Sequence, residues 1–149
     1  MRTLILLRHA AAEPAGPERE DFDRTLDAAG RAEAESAARQ LRSLAVRPAL
    51  ALASPARRTL MTAEAVVQRL GLGRDALRTD EALYLASVPT LQAAIARVPA
   101  EVGCLLVVGH NPGISDLATD IGPEGQDVLL STGEFVQLTL DGDDWTLAS

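Results

Sequence analysis

The segment "TLILLRHAAAE", residues 3–13, decides the fold of this chain. Its apolar run, residues 4–7, is short, continuous and made of leucine and isoleucine, which is typical of a strand buried on both faces. Arg8 and His9 follow that run directly. Ligands of parallel sheets bind beyond the carboxyl ends of the strands. A cation and a titratable imidazole at this position therefore predict a functional site there.

Strand-like runs alternate with helical patterns along the rest of the chain. After the strand at 3–7, the predicted strands are 49–54, part of 76–86, 102–110, 128–131 with 134–140, and an edge strand at 145–148. The predicted helices are 28–45, 55–71 from Pro55 to a C-cap at Gly71, 88–97 capped by Ser87, and one within 111–121. The polar segments 12–24 and 120–128 are predicted loops. The alternation predicts one α/β domain over residues 1–149, a three-layer sandwich with a mostly parallel central sheet flanked by helices.

The composition is that of an ordinary globular domain, with 47% hydrophobic and 23% charged residues. The net charge of -7 argues against a nucleic-acid partner, because nucleic-acid binders are usually basic. No apolar run approaches the ~20 residues that a membrane span needs. The N-terminal apolar stretch is interrupted too early for a signal peptide. We therefore expect a cytoplasmic protein without a membrane or nucleic-acid partner.

The single cysteine and the lack of lysine exclude several kinds of catalytic site. The single cysteine, Cys104, excludes an internal disulfide, and the sequence after it lacks the arginine that a cysteine-phosphatase loop needs. We expect Cys104 to be a core residue. All 14 basic residues are arginine, so a P-loop lysine and Schiff-base chemistry are excluded.

The polar residues that carry chemistry cluster at three strand ends. Arg8 and His9 end the first strand, Ser54 and the pair Arg57–Arg58 follow the second, and His110–Asn111 follows the strand at 102–110. The chain's two histidines therefore occupy equivalent positions. If the three strands are neighbours, imidazoles and guanidiniums converge into a pocket that suits a tetrahedral dianion such as phosphate.

The motifs "LLRHA", "SPARRTLMTA" and "VVGHNP" resemble those of the histidine phosphatase superfamily, which has the phosphoglycerate mutase fold. The short chain and the segment "DFDRTLDAAG", at 21–30, are similar to the SixA-type phosphohistidine phosphatase branch, although Thr25 stands where proline is usual. The resemblance covers nearly the whole chain. It implies the same fold and a phosphatase activity.

The resemblance also implies roles for individual residues. His9 would be the nucleophile, and Arg8, Arg58 and His110 would hold the phosphoryl oxygens. Arg58 is assigned because it lies four residues after Ser54 and four before Thr62, so Arg57 is only its neighbour. The further candidate substrate-binding residues are Arg24, Asn111 and Thr132.

One departure from the family pattern concerns the general acid. Many phosphomonoesterases of the superfamily carry a glutamate after the third strand, and that position falls near Leu85 here. Asp80 and Glu81 lie close by in "DEALYLAS", so either remains an alternative acid. We expect the acid to be absent, as in the SixA-type branch. Imidazole leaves more easily than an alkoxide, so a missing acid is consistent with a phosphohistidine substrate.

The expected function is hydrolysis of a phosphoryl group through a phosphorylated His9. The substrate is expected to be phosphohistidine on a protein, or alternatively a small phosphorylated molecule. A non-catalytic anion-binding module and a metal site on His9 and His110 are the remaining alternatives. For the metal site the sequence offers no third ligand at a recognisable spacing. We expect no metal and no cofactor, and a monomer is favoured.

Overall fold

The apolar run near the N-terminus forms strand β1, and four further strands complete one sheet around it. A computed structural model describes residues 1–147 of the chain. The strands are β1 Arg2–Arg8, β2 Leu50–Ala53, β3 Leu77–Thr79, β4 Cys104–Gly109 and β5 Phe135–Leu140. Their order across the sheet is β3-β2-β4-β1-β5. Only β5 is antiparallel to its neighbour, so the mostly parallel sheet is confirmed.

Four α-helices connect the strands: α1 Ala28–Arg42, α2 Arg57–Arg69, α3 Val88–Ala96 and α4 Gly113–Ile121. Asp27 caps α1 by accepting the Gly30 N–H at 2.7 Å. α2 begins two residues after Pro55, so the prediction that this proline lies in the first turn is wrong. The Ser54 hydroxyl accepts the Ala56 N–H at 3.3 Å, which forms a turn before the helix. Gly71 follows the end of α2 with a positive φ of 71°, which glycine adopts readily.

The sheet is buried on both faces, which explains the continuous apolar runs of its central strands. Leu4 and Leu6 of β1 belong to a cluster with residues of α3 and α4. Ile5 and Leu7 point to the opposite cluster, which includes residues of α1 and α2. The predicted three-layer sandwich is therefore confirmed. Burial of apolar side chains on both faces is the main stabilising contribution to such a fold.

Two predicted strands near the C-terminus are wrong. Residues 128–131 form no strand, because the N–H groups of Val128 and Leu130 donate to the Thr119 and Ser115 hydroxyls of α4, at 2.8 and 2.9 Å. Residues 145–147 also form no strand, and residue 148 lies outside the described residues. Trp145 is instead fully buried and donates its indole N–H to the Val102 carbonyl at 2.9 Å.

Cys104 lies in the core, as predicted, and burial raises the pKa of its thiol to about 11. The thiol therefore stays protonated and is a poor nucleophile at neutral pH. None of the helices within residues 1–147 has the length and apolar character needed to cross a membrane.

Candidate active site

The two histidines lie side by side at the carboxyl edge of the sheet. Parallel pairing places Arg8 of β1 opposite Gly109 of β4. The His9 N–H then donates to the Gly109 carbonyl at 3.1 Å. Each strand is thus followed by a histidine, and the two buried rings have centroids 5.3 Å apart. The parallel register itself brings the imidazoles together.

A hydrogen bond fixes the tautomer of His9. Its Nδ1 atom lies 2.8 Å from the Ala10 carbonyl oxygen. A carbonyl only accepts, so Nδ1 carries the proton and Nε2 keeps its lone pair. The Ala10 N–H in turn donates to the Thr62 hydroxyl at 3.1 Å, and that hydroxyl donates to the Arg58 carbonyl at 2.7 Å. The first turns of α2 therefore position the segment that orients His9.

Both imidazoles are held neutral by their surroundings. Burial lowers the pKa of His9 to about 4. The hydrogen bond to Ala10 opposes this shift, whereas the charges of neighbouring arginines, Arg58 foremost, add to it. Burial, followed by the charge of Arg58, lowers the pKa of His110 to about 3. At neutral pH the Nε2 atom of His9 is therefore unprotonated and able to act as a nucleophile.

Arg58 points into the site, whereas Arg57 faces solvent. Arg58 is only 2% exposed, and the adjacent Arg57 belongs to the exposed residues. The Arg58 guanidinium donates to the backbone carbonyl of Asp21 at 2.7 Å and to its carboxylate at 3.1 Å. This geometry agrees with the choice of Arg58 over Arg57 made from the motif spacing.

His110 contacts Arg58 through one ring nitrogen and two hydroxyls through the other. Its Nδ1 atom lies 3.3 Å from Arg58 Nη2, which can only donate, so the neutral ring accepts at Nδ1. Its Nε2 atom lies 2.8 Å from the Ser54 hydroxyl and 3.3 Å from that of Thr59. In this arrangement His110 orients the Arg58 guanidinium.

Two arginine nitrogens in the site have no partner. Within residues 1–147, four buried side-chain nitrogens lack a hydrogen bond, and the Nε atoms of Arg8 and Arg58 are two of them. Arg8 does use Nη1, which donates to the Leu130 carbonyl at 3.2 Å. A buried donor without a partner is unfavourable. An anion in the pocket would supply acceptors for such donors.

All seven predicted site residues line one pocket of about 390 Å³. The full lining consists of Arg8, His9, Ala11, Ala12, Asp21, Arg24, Arg58, Leu85, His110, Asn111 and Thr132. A larger depression of about 720 Å³ lies beside α2 and β3. It brings only one arginine and no histidine to its lining, so we assign the chemistry to the smaller pocket.

Asn111 lines the pocket, but its amide is already engaged. Its Nδ2 atom donates to the Leu130 carbonyl at 2.9 Å, and its Oδ1 atom accepts from the Ser115 hydroxyl at 2.5 Å. The side chain therefore ties the segment after β4 to the segment before β5. Its predicted role in substrate binding stays a prediction, as does that of Thr132.

Asp21 and Tyr84 belong to the site and are missed by the sequence analysis. The Asp21 carboxylate accepts from Arg58, from Arg24 at 3.0 Å and from the Tyr84 hydroxyl. The hydrogen bond from Tyr84, followed by those from the arginines, lowers the pKa of Asp21 to about 2. The sequence does offer one signal for Asp21: it lies three residues before Arg24, with which it forms an ion pair. Tyr84 lies edge-on to His110, with ring centroids 5.6 Å apart.

The alternative acids Asp80 and Glu81 do not line the pocket. Asp80 caps the short 3-10 turn Glu81–Leu83 by accepting the Ala82 N–H at 2.9 Å, and it forms an ion pair with Arg97 at 2.9 Å. Glu81 is exposed. Leu85, near which the family's glutamate was expected, is the residue of this segment that reaches the pocket.

The alternative of a metal site finds no third ligand in the structure. Within residues 1–147, no three His, Cys, Asp or Glu side chains come together in a group that could hold a metal ion. The pocket that contains His9 and His110 is lined by three arginines instead.

The lowered histidine pKa values predict that stability decreases on acidification. Between pH 6.5 and about pH 4, histidine is mostly protonated in the unfolded chain, whereas His9 in the folded protein is still mostly neutral. The free energy of unfolding should therefore fall as the pH drops through this window, by up to about 1.4 kcal/mol per pH unit for each histidine. Urea unfolding between pH 7 and pH 4 measures this, and His9→Gln should show a shallower loss. An identical pH dependence in the variant would contradict the assignment.

Comparison with known proteins identifies the family. The profile of the histidine phosphatase superfamily (branch 1) matches residues 4–84, which is more than half of the chain. The chain belongs to this superfamily. A search of curated protein sequences gave no match.

Several solved structures of SixA proteins are similar to this chain. The candidate phosphohistidine phosphatase SixA from Agrobacterium tumefaciens is 35% identical over 80% of this chain and 76% of its own, with a TM-score of 0.73. Its counterpart from Nakamurella multipartitia is 29% identical over 97% and 87%, with a TM-score of 0.78. The protein histidine phosphatase SixA complexed with tungstate is 25% identical over 93% and 88%, with a TM-score of 0.82.

Proposed function

We propose that this chain hydrolyses phosphohistidine carried by a protein, through a phosphoryl intermediate on His9. The observation that carries the proposal is the lining of the pocket, in which Asp21 is the sole carboxylic acid. Its pKa of about 2 keeps it ionised at neutral pH, so it cannot serve as a proton donor. The leaving group must therefore depart without an acid from the enzyme.

A phosphohistidine meets that requirement. Its second ring nitrogen titrates near neutral pH, so the substrate can bring its own proton and leave as a neutral imidazole. The leaving group of a sugar phosphate or phosphoserine is an alcohol oxygen, which would depart as an alkoxide unless a donor supplies a proton. The similarity to the SixA structures supports the same substrate class.

In the first step, the Nε2 lone pair of His9 attacks phosphorus while the bond from phosphorus to the substrate nitrogen breaks. The bonding electrons leave with the substrate imidazole. Arg8 and Arg58 neutralise the charge on the transferring phosphoryl oxygens. His110 can donate to such an oxygen only as an imidazolium, which a dianion beside it would favour. The arginines supply positive charge, so the proposed step uses no metal ion.

In the second step, water attacks the phosphorus of phosphorylated His9 and inorganic phosphate is released. Because Nδ1 keeps its proton in the bond to the Ala10 carbonyl, the phosphorylated ring is cationic and leaves as a neutral imidazole. The proton of the attacking water remains with the phosphate product or passes to solvent. The same hydrogen bond thus favours both steps.

The proposal is tested by comparing kcat/KM for a phosphohistidine peptide, p-nitrophenyl phosphate and a sugar phosphate. We expect the phosphohistidine peptide to be the best of the three and the sugar phosphate to be the poorest. A higher kcat/KM for the sugar phosphate would instead identify a small-molecule phosphomonoesterase. Hydrolysis of none of the three would favour a non-catalytic anion-binding module.

Replacement of Glu81 with glutamine should leave turnover nearly unchanged. Glu81 is exposed and does not line the pocket, and glutamine keeps its size while removing the carboxyl proton. A general acid contributes about 10²–10⁴-fold, so a true acid would be easy to detect. Both the phosphohistidine peptide and the sugar phosphate should be assayed. A hundredfold loss confined to the sugar phosphate would make Glu81 the acid and would contradict the proposed substrate class.

A further inference from the structure

Large apolar side chains are exposed around the candidate active site. Within residues 1–147, the exposed large hydrophobic residues are Met1, Phe22, Val46, Leu85 and Leu129. Three of them, with exposed fractions of 37%, 56% and 81%, belong to segments that border the pocket: Phe22, Leu85 and Leu129. We refer to these three residues as the rim.

Three separate segments bring the rim to the pocket. Phe22 directly follows Asp21, which lines the pocket, and its ring packs edge-on to Tyr84 at 5.2 Å. Leu85 lines the pocket itself. Leu129 precedes Leu130, whose carbonyl accepts from Arg8 and from Asn111. Leu85 thus lies in the pocket, whereas Phe22 and Leu129 are next in sequence to residues that line the pocket or contact its lining.

Leu85 adopts an unusual backbone conformation. Its φ of 50° lies in the left-handed region, which a leucine rarely adopts. The side chain is more than half exposed, so burial does not compensate for this conformation. Strained residues of this kind are concentrated at functional sites. The strain therefore marks Leu85 as a candidate functional residue of the pocket.

We propose that the rim is the docking surface for the protein that carries the phosphohistidine, an inference that rests on the proposed function. The phosphoryl dianion is complementary to the arginines Arg8, Arg24 and Arg58 in the pocket. The apolar rim around this cationic centre then fits apolar side chains that flank the phosphohistidine on the partner. Exposed large apolar residues are typical of protein contacts when they are grouped around a binding site. A free phosphorylated amino acid has no flanking side chains to contact the rim.

Two matched protein probes test this surface. The first is a helical-bundle protein with one surface histidine flanked by leucines, phosphorylated with potassium phosphoramidate. The second is identical except that the flanking leucines are serines. N-acetyl phosphohistidine serves as the reference that lacks a protein body. The measured quantity is kcat/KM for each probe with the wild type, with the rim variants Phe22→Ser and Leu129→Ser, and with the control Val46→Ser.

We expect the wild type to prefer the leucine-flanked probe by about tenfold, the effect of burying one or two apolar side chains. Each rim variant should reduce that preference to less than about threefold. The reason is that each variant removes one of the apolar contacts that produce the preference. Val46→Ser should retain the full preference, because Val46 lies between α1 and β2, at the opposite edge of the sheet.

The outcomes separate the two proposals. Failure to hydrolyse any phosphohistidine probe, including N-acetyl phosphohistidine, would overturn the proposed function. Hydrolysis of all three probes without a preference for flanking leucines would overturn the docking surface alone. The same conclusion would follow if the rim variants kept the wild-type preference.

Discussion

Replacing His9 with alanine should lower kcat by at least about 10⁴-fold, the scale expected when a covalent nucleophile is removed. The only other imidazole in the pocket, that of His110, is turned through Nδ1 to Arg58 and through Nε2 to Ser54. It therefore has no free lone pair to replace that of His9. The measurement is steady-state hydrolysis of a phosphohistidine peptide by the purified variant. Near-wild-type turnover would end the assignment of His9 as nucleophile.

Trapping of the intermediate gives a second measurement that does not depend on the variant being folded. Rapid quenching of the wild type in alkali should preserve a phosphate that is stable to alkali and labile to acid. Trypsin cuts after arginine, so His9 falls in the peptide 9–19 and His110 in the peptide 98–149. We expect the phosphate on the first peptide. Phosphate on the second peptide would transfer the nucleophile role to His110 and contradict the mechanism.

Replacing Arg58 with alanine should lower kcat/KM by about 10²–10³-fold, the effect of losing one charge-assisted donor to the transition state. The matched control lies next to it. Arg57→Ala removes the same charge from the same helix, but Arg57 is exposed and does not line the pocket. Its loss should change kcat/KM by less than about twofold, as surface substitutions do.

Arg58→Lys distinguishes charge from geometry. Lysine keeps the positive charge but lacks the planar guanidinium that contacts Asp21 and His110 together. We therefore expect kcat/KM of Arg58→Lys to lie between the values of the wild type and of Arg58→Ala. Circular dichroism should be recorded for each variant to establish that it is folded. A larger loss for Arg57→Ala than for Arg58→Ala would show that the motif has been placed one residue out of register.

The fold is predictable from the sequence wherever a pattern reflects burial on both faces of the sheet. The apolar runs that become β1 and β4 are of this kind. The wrong strands, at 128–131 and 145–147, are apolar for other reasons. Leu130 is buried against α4, and Trp145 fills a core position beside Val102, so neither needs a strand ladder. Local apolar character does not reveal which partner a segment's backbone will find.

The histidines and Arg58 of the candidate site are predictable from the sequence, whereas Asp21 and Tyr84 are not. The histidines and Arg58 stand out because the residue types are rare or because their spacing matches a motif. Asp21 and Tyr84 come from segments that are distant along the chain and meet only through the fold. The segment 12–24 forms no strand or α-helix, as predicted, but it contains the 3-10 helix Asp21–Asp23. Nothing in its composition shows that it turns back over the pocket at Asp21.

The Nε atoms of Arg8 and Arg58, which have no hydrogen-bond partner within residues 1–147, affect the stability of the folded state. Each is a buried donor for which the described part of the protein supplies no acceptor, and an unpaired buried donor costs about 1–3 kcal/mol in ordinary proteins. An oxyanion bound in the pocket would accept hydrogen bonds from these atoms and thereby increase the stability of the folded state. Inorganic phosphate, the product, would then act as a stabiliser of the folded state through mass action.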